Sequence, residues 1–381
     1  METGILKLNG IEIKYSFLKD NEQHWMQVVY TIVPEKPEQI VDQIKNIEKA
    51  EKDFFKKHNL GKETPLFKRF FSSDLINHNN EIDNYKKRQD TDFFMSVTEQ
   101  PPATGAKVAL LGMCLSNITK KYRKDNLICF DTTSDIKHIF LEHIVDASAD
   151  EHSDSEKQTE NIFNYLRDKL SGYNATLEDN VLRTWIYSPH IDADYSGIVK
   201  ARKELFDSIN LTKDTHYIAS TGIQGGSSSQ FARVFMDAYA VAGINQKKVR
   251  YIQAPEYLSP THIYGVTFER ATTVELGNTD FLFISGTASI DKKGDIVHPG
   301  DVVRQAERTL QNVTALIDYA GFVKDDLSSF IVYLRDPADY EFVKPIIDNY
   351  SSRLPAVYVK AQVCRPGWLI EIEATAAKLL N

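Results

Sequence analysis

Apolar residues recur along this chain with two periods, and the change from one to the other marks out the same run of elements twice. Downstream of Asp154, Phe163, Leu166 and Leu170 fall three and four apart, the spacing of one helix face. Downstream of Asp301, Leu310, Val313 and Ile317 repeat it. Each helix is followed by a strand rich in β-branched and aromatic residues, 181–187 in the first copy and 327–333 in the second. An Asp-rich turn comes next (His190 to Tyr195; Asp336 to Tyr340), and then a second helix, 196–209 or 341–351. The order strand, helix, strand, helix, strand therefore occurs twice. Only the second copy ends in an acidic strand, Leu369-Ile370-Glu371-Ile372-Glu373-Ala374.

Upstream, residues 1 to about 90 read as an accessory region with two edge strands at 11–17 and 25–32 and a charged helix near 37–58. The charged stretch 79–92 is expected to be a solvated loop. Residues 93–97 and 107–113 predict a strand pair joined through Pro101-Pro102, and 138–145 a strand leading into the first copy. Asp154 and Asp301 are placed as helix N-caps.

The chain has 381 residues, 42% hydrophobic and 26% charged, enough for two cores. With 45 basic against 53 acidic residues, a formal charge of -8 and no long basic patch, it lacks the positive field that a nucleic acid needs. No apolar run approaches the roughly 18 residues of a membrane span, and the first residues lack a signal-peptide layout. A cytoplasmic location is expected. Cys114, Cys129 and Cys364 stand at no metal or disulfide spacing. His138, Glu142 and His143 do not all share one face of a strand, so no metal is expected. The loop from Ser220 to Ser229 lacks both a phosphate-binding and a nucleophile-elbow spacing. Its glycines mark a place where the backbone must approach a ligand or a neighbouring segment.

Arg183 lies within an apolar strand on the face of Trp185 and Tyr187, where a charge needs a partner. It is either half of a structural ion pair or a fork for a substrate carboxylate. Arg335, at the end of the matching strand, offers the same alternatives. Glu371 and Glu373 share one face of the last strand. Two like charges on a half-buried surface resist double ionisation, so one carboxyl is expected to hold its proton near neutrality and serve as a general acid. The plain alternative is a solvent-facing edge.

The residues Phe283-Ile-Ser-Gly286, Gly300-Asp301, Gln305, Val332-Tyr-Leu-Arg-Asp336, Pro355-Ala356 and Glu371-Ile-Glu-Ala374 resemble the RidA/YjgF family over roughly the last hundred residues. With Arg183-Thr-Trp-Ile-Tyr187, Ala219-Ser-Thr-Gly222, Phe268-Glu-Arg-Ala271 and Val363-Cys-Arg-Pro366, the likeness extends from about Phe93 to the end, and is to the chorismatases. The resemblance implies an α+β fold of two RidA-like domains, 1–255 and 256–381, each a mixed sheet with helices on one face. The first is a degenerate copy that carries the accessory strands and helix.

It also implies a cofactor-independent enzyme that releases pyruvate from chorismate, a dicarboxylate, giving a hydroxybenzoate or a dihydroxycyclohexadiene acid. Glu371 would be the acid, with Arg183 and Arg335 on the carboxylates. Tyr187 and Tyr358 would wall the ring or donate hydrogen bonds to it, with Arg270 a charge behind them, and Cys364, seven positions before Glu371, resembles the hydroxybenzoate-forming members. Simple RidA imine hydrolases grip their substrate with an arginine two residues after the proline matched by Pro355, where this chain has Val357. An imine or enamine hydrolase and a non-catalytic small-molecule binder are the alternatives. RidA-like sheets associate as trimers, which implies a homo-oligomer. The segment after Ile290, Asp-Lys-Lys-Gly-Asp, departs from the chorismatase pattern and resembles a plain RidA turn.

Overall fold

In the computed structural model, which describes residues 1–61, 64–89, 92–132 and 136–380, three six-stranded mixed sheets repeat one topology. The first contains β1 (Glu2–Leu8), β2 (Ile11–Lys19), β3 (Trp25–Pro34), α1 (Ile40–Lys57), β4 (Pro65–Ser72), α2 (Leu75–Lys87), β5 (Phe94–Glu99) and β6 (Val108–Leu115). The second contains β7 (Ile118–Lys124), β8 (Leu127–Thr132), β9 (Lys137–Val145), α3 (Ser155–Ser171), the single turn α4 (Leu177–Asn180), β10 (Val181–Ser188), α5 (Ile191–Ser208), β11 (Ala219–Gln224) and β12 (Phe235–Ala242). The third contains β13 (Val249–Ile252), β14 (Ala271–Leu276), β15 (Thr279–Ala288), α6 (Val302–Tyr319), β16 (Leu327–Leu334), α7 (Tyr340–Ser351), β17 (Ala356–Lys360) and β18 (Ile370–Leu379).

In every sheet the last strand returns to the centre, between the third strand and the fourth, and the fourth and fifth strands run parallel. The parallel pair requires a helical crossover, which α2, α5 and α7 supply. The helices that open after Asp154 and Asp301 are capped as the sequence predicts: those carboxylates accept from Lys157 N (2.8 Å) and Arg304 N (3.0 Å).

The division drawn at 255/256 falls after β13, an edge strand of the third sheet, and residues 2–242 form two sheets, not one. The strands expected at 11–17 and 25–32 are therefore interior members of a complete sheet rather than an accessory edge. Two local expectations are corrected. Residues 79–87 of the supposed loop are helical, because Leu75, His78, Ile82 and Tyr85 form a buried stripe and Asp74 caps the first turn; residues 90 and 91 of that loop lie outside the described residues. The strands expected at 93–97 and 107–113 are not paired with each other, since β4 lies between β5 and β6.

The sheets close on one another through polar pairs. Arg69 of the first meets Asp237 of the second (3.3 Å), and Arg183 of the second meets Glu373 of the third (2.9 Å). Ser16 Oγ of the first donates to Ser328 O of the third (2.9 Å). The glycine loop serves the first of these junctions. Gly226 bridges to Glu99, and a Cβ on Gly225 would lie 2.6 Å from Thr98 Oγ1.

Candidate active site

Strand register explains why the three similar junctions are not chemically equal. The seventh residues of β4, β10 and β16 are Phe71, Tyr187 and Tyr333, and they lie opposite Ala109, Phe235 and Glu371. The fifth residues, Arg69, Trp185 and Ile331, lie opposite Leu111, Asp237 and Glu373. An acid stands at the first of these positions in the third sheet alone.

Alternation on β18 sends Glu371 and Glu373 to one side of the sheet, towards β10 and β11. Glu373 accepts from Trp185 Nε1 (2.6 Å), Thr221 Oγ1 (2.9 Å) and Tyr333 OH (3.1 Å), besides its contact with Arg183. Burial opposes its charge. Arg183 and Arg69, with the bonds from Trp185 and Thr221, outweigh burial and hold the carboxyl below its ordinary range. Glu373 is thus a carboxylate with its bonds made.

Glu371 has the opposite surroundings. It is 5% exposed, and its buried Oε1 has no hydrogen-bond partner. Burial first, and the charge of Glu373 second, lift its pKa to about 8 against the pull of Arg183 and Arg270. A carboxyl so placed is protonated at neutral pH. Room for it comes from Gly286, in the β-bulge of β15 between Ile284 and Thr287, where a Cβ would lie 2.2 Å from Glu371 Oε1. Gly286→Ala is therefore expected to push the carboxyl aside, the flexible end of Glu371 yielding before the backbone does. A displacement near 1 Å lowers kcat by about 10²-fold. Steady-state kinetics beside an unchanged melting curve would check this.

Arg183 is 1% exposed, and its donors go to Glu373, Thr221 Oγ1 and Ser285 Oγ (3.2 Å). It is a structural ion pair in this geometry and acts on Glu371 by charge. Arg335 is tied to Asp192 and to Val363 O (2.9 Å). Tyr187 stacks on Phe235 (4.8 Å), at the junction of the first and second sheets. Tyr358 packs edge-on against Tyr340 (5.2 Å), and its carbonyl accepts from Ala103 N, so it belongs to the junction of the third sheet with the first. Neither tyrosine is gathered at Glu371.

Cys364 and Arg270 are gathered there. Burial, and after it the charge of Glu371, push the Cys364 thiol up to about 12, so it is a thiol and not a thiolate. Arg270, 4% exposed, donates to Ser259 O (2.7 and 3.2 Å).

Two further arginines complete the group. Arg202 on α5 is 3% exposed, has its Nε bond to Thr267 Oγ1 (3.1 Å), and is pushed below its ordinary pKa by burial. Arg365 donates to Tyr264 O (3.1 Å). The Tyr264 ring has the Arg270 guanidinium 5.3 Å and the Arg365 guanidinium 4.8 Å from its centre. The fields of Arg202 and Arg365 both reach Cys364. Among the described residues none of these three arginines is ion-paired. Arg202 and Arg270 are buried and Arg365 is half-buried, and cations so placed without a carboxylate mark a place for an anion.

The sequence reading passed over Arg202, Arg365 and Tyr195, whose side chain is hydrogen-bonded with that of Cys364. A signal was present: Tyr195, Ile198 and Arg202 are spaced three and four apart on α5, which sets an arginine on the buried stripe of an amphipathic helix.

The endoribonuclease L-PSP family matches residues 270–378. A RutC family protein of Pyrococcus horikoshii is 34% identical over 107 residues, 28% of this chain and 83% of that one. A 3-hydroxybenzoate synthase of Streptomyces hygroscopicus is 28% identical over 217 residues, 51% of this chain and 62% of that one. The crystal structure of a chorismatase superposes with a TM-score of 0.61 at 20% identity, covering 83% of this chain and 94% of that one. That likeness is one of fold, and it covers far more of the chain than the family match does. The chain therefore belongs to the endoribonuclease L-PSP family, carried within a chorismatase fold.

Proposed function

We propose that this protein is a chorismatase-like enzyme that releases pyruvate from chorismate, with Glu371 as its general acid. One observation carries the reading: a buried carboxyl that holds its proton to about pH 8 stands in the field of Arg270, which has no carboxylate of its own, beside a Cys364 that the fields of Arg202 and Arg365 reach. Chorismate brings two carboxylates and an enolpyruvyl ether. Glu371 gives its proton to the methylene carbon of the ether, and the carbon bearing the oxygen becomes an oxocarbenium centre. The glutamate left behind faces that positive charge and stabilises it where water is excluded. The neighbouring ring hydroxyl, giving its proton to the Glu371 carboxylate, then bonds to the ring carbon as the bond between that carbon and the ether oxygen breaks, which releases pyruvate and leaves an epoxide-like intermediate that opens to the hydroxybenzoate.

Arg202, Arg270 and Arg365 hold the two substrate carboxylates, the part first assigned to Arg183 and Arg335, whose donors are already engaged. Arg183 keeps Glu373 ionised, and Glu373 keeps Glu371 protonated. Cys364, as a neutral thiol, is a wall beside the acid rather than a nucleophile. Its position seven residues before Glu371 and the likeness to a 3-hydroxybenzoate synthase favour a hydroxybenzoate product, formed when the ring hydroxyl rather than water displaces the ether. An imine hydrolase lacks its anchor, because Val357 is 1% exposed and apolar where the arginine would stand.

Incubation with chorismate, with chromatography of pyruvate and ring products, tests the reading. Arg202→Met is expected to lower kcat/KM about 10- to 100-fold, mainly through KM, as fits the loss of a charge-assisted bond. Unchanged constants would remove Arg202 from the substrate's grip.

A further inference from the structure

We propose that the cavity enclosed where the three sheets meet is a second binding site, for a neutral molecule of about one ring that bears a hydroxyl group. This inference does not depend on the role given to Glu371. Each sheet contributes an aromatic wall, Phe67 from the first, Phe140 from the second and Phe283 from the third, around a volume of about 70 Å³. One water needs only roughly 10–15 Å³, so the space has room for a guest several times the size of a water molecule.

Two buried side chains on its lining have unmet hydrogen-bonding capacity. Arg69, with none of its surface exposed, has no acceptor for Nη1, and Gln27, 4% exposed, has no donor for Oε1. A hydroxyl group can meet either need, accepting from Arg69 Nη1 or donating to Gln27 Oε1. Leaving such groups unpaired in an apolar enclosure is costly, which argues for an occupant that pairs them.

Charge selects the class of molecule. Arg69 is balanced by Asp237 (3.3 Å) and Glu373 by Arg183 (2.9 Å), so an ionic guest would add an uncompensated charge. His138, also on the lining, is neutral at pH 7, because burial takes its pKa down to about 4. A way in exists: an outer hollow bordered by Met26, Ser116 and Asn117 shares Gln27, Leu115, His138 and Phe281 with the cavity.

Phenol is the probe, with toluene and benzoate for comparison, followed by ligand-observed NMR and calorimetry. The expected result is one phenol per chain, toluene held more weakly and benzoate not competing. Leu111→Phe, on the lining, should abolish phenol binding. Gln27→Leu should weaken phenol about fivefold and leave toluene unchanged, a loss the size of one hydrogen bond. The second variant serves if the first fails to fold. Absence of phenol binding to the wild type, or binding undiminished in the variants that fold, would overturn the proposal.

Discussion

Replacing Glu371 by glutamine is expected to slow pyruvate release by about 10²–10⁴-fold, the range of a general acid's contribution, with little change in KM. Glutamine keeps the shape and removes the proton. The same substitution is expected to stabilise the protein at alkaline pH. In the folded protein the carboxyl keeps its proton up to about 8, whereas in the unfolded chain it loses it near 4.5. Between those values the folded form binds more protons, so wild-type stability falls as pH rises. An uncharged amide at this position carries no such penalty. The melting temperature of Glu371→Gln should therefore draw ahead of wild type between pH 5 and 8, which differential scanning calorimetry at several pH values would check. Equal stability throughout would mean that the carboxyl titrates normally.

The second large effect is expected from Glu373→Gln. Removing one member of a buried ion pair leaves Arg183 uncompensated, which destabilises by about 3–5 kcal/mol, read as a shift in the urea midpoint. The variant also moves the acid. The negative charge that raises the Glu371 pKa is gone, and Arg183, no longer neutralised, attracts the Glu371 carboxylate more strongly. Both changes act downward. The alkaline limb of the kcat/KM profile, expected near 8 in wild type, should move to lower pH. A limb that stays in place would show that Glu373 does not govern the acid.

The parts of this site that rest on short-range pattern were legible in the sequence. Alternation alone put Glu371 and Glu373 on one face, and like-charge repulsion on a half-buried face led to the expectation that one of them holds a proton, with a solvent-facing edge as the alternative. Which one depended on contacts that no local pattern contains. Trp185 and Thr221 come from another sheet, and their bonds to Glu373 decide that it is the ionised member. The two alternatives for Arg183 were separated in the same way, by a carboxylate nearly half the chain away.

The first sheet was hidden for a chemical reason. Its counterparts of Glu371 and Glu373 are Ala109 and Leu111, so it carries no acidic strand to match the third sheet by. Its second helix runs through His78, Asn79 and Asn80, residues of modest helix propensity, and only the stripe of Leu75, Ile82 and Tyr85 betrays it. Arg202 was passed over because an arginine on a helix is ordinarily read as solvated. Its burial depends on the loop carrying Thr267 and Tyr264 closing over α5, a contact between distant segments.

The central claim is that Glu371 protonates the enol ether carbon, and the reaction of chorismate in D2O reports on that step. Wild type should yield pyruvate with one deuterium in its methyl group for each chorismate consumed, and Glu371→Gln should yield almost none. Pyruvate formed without deuterium, or formed equally fast by the glutamine variant, would contradict the account.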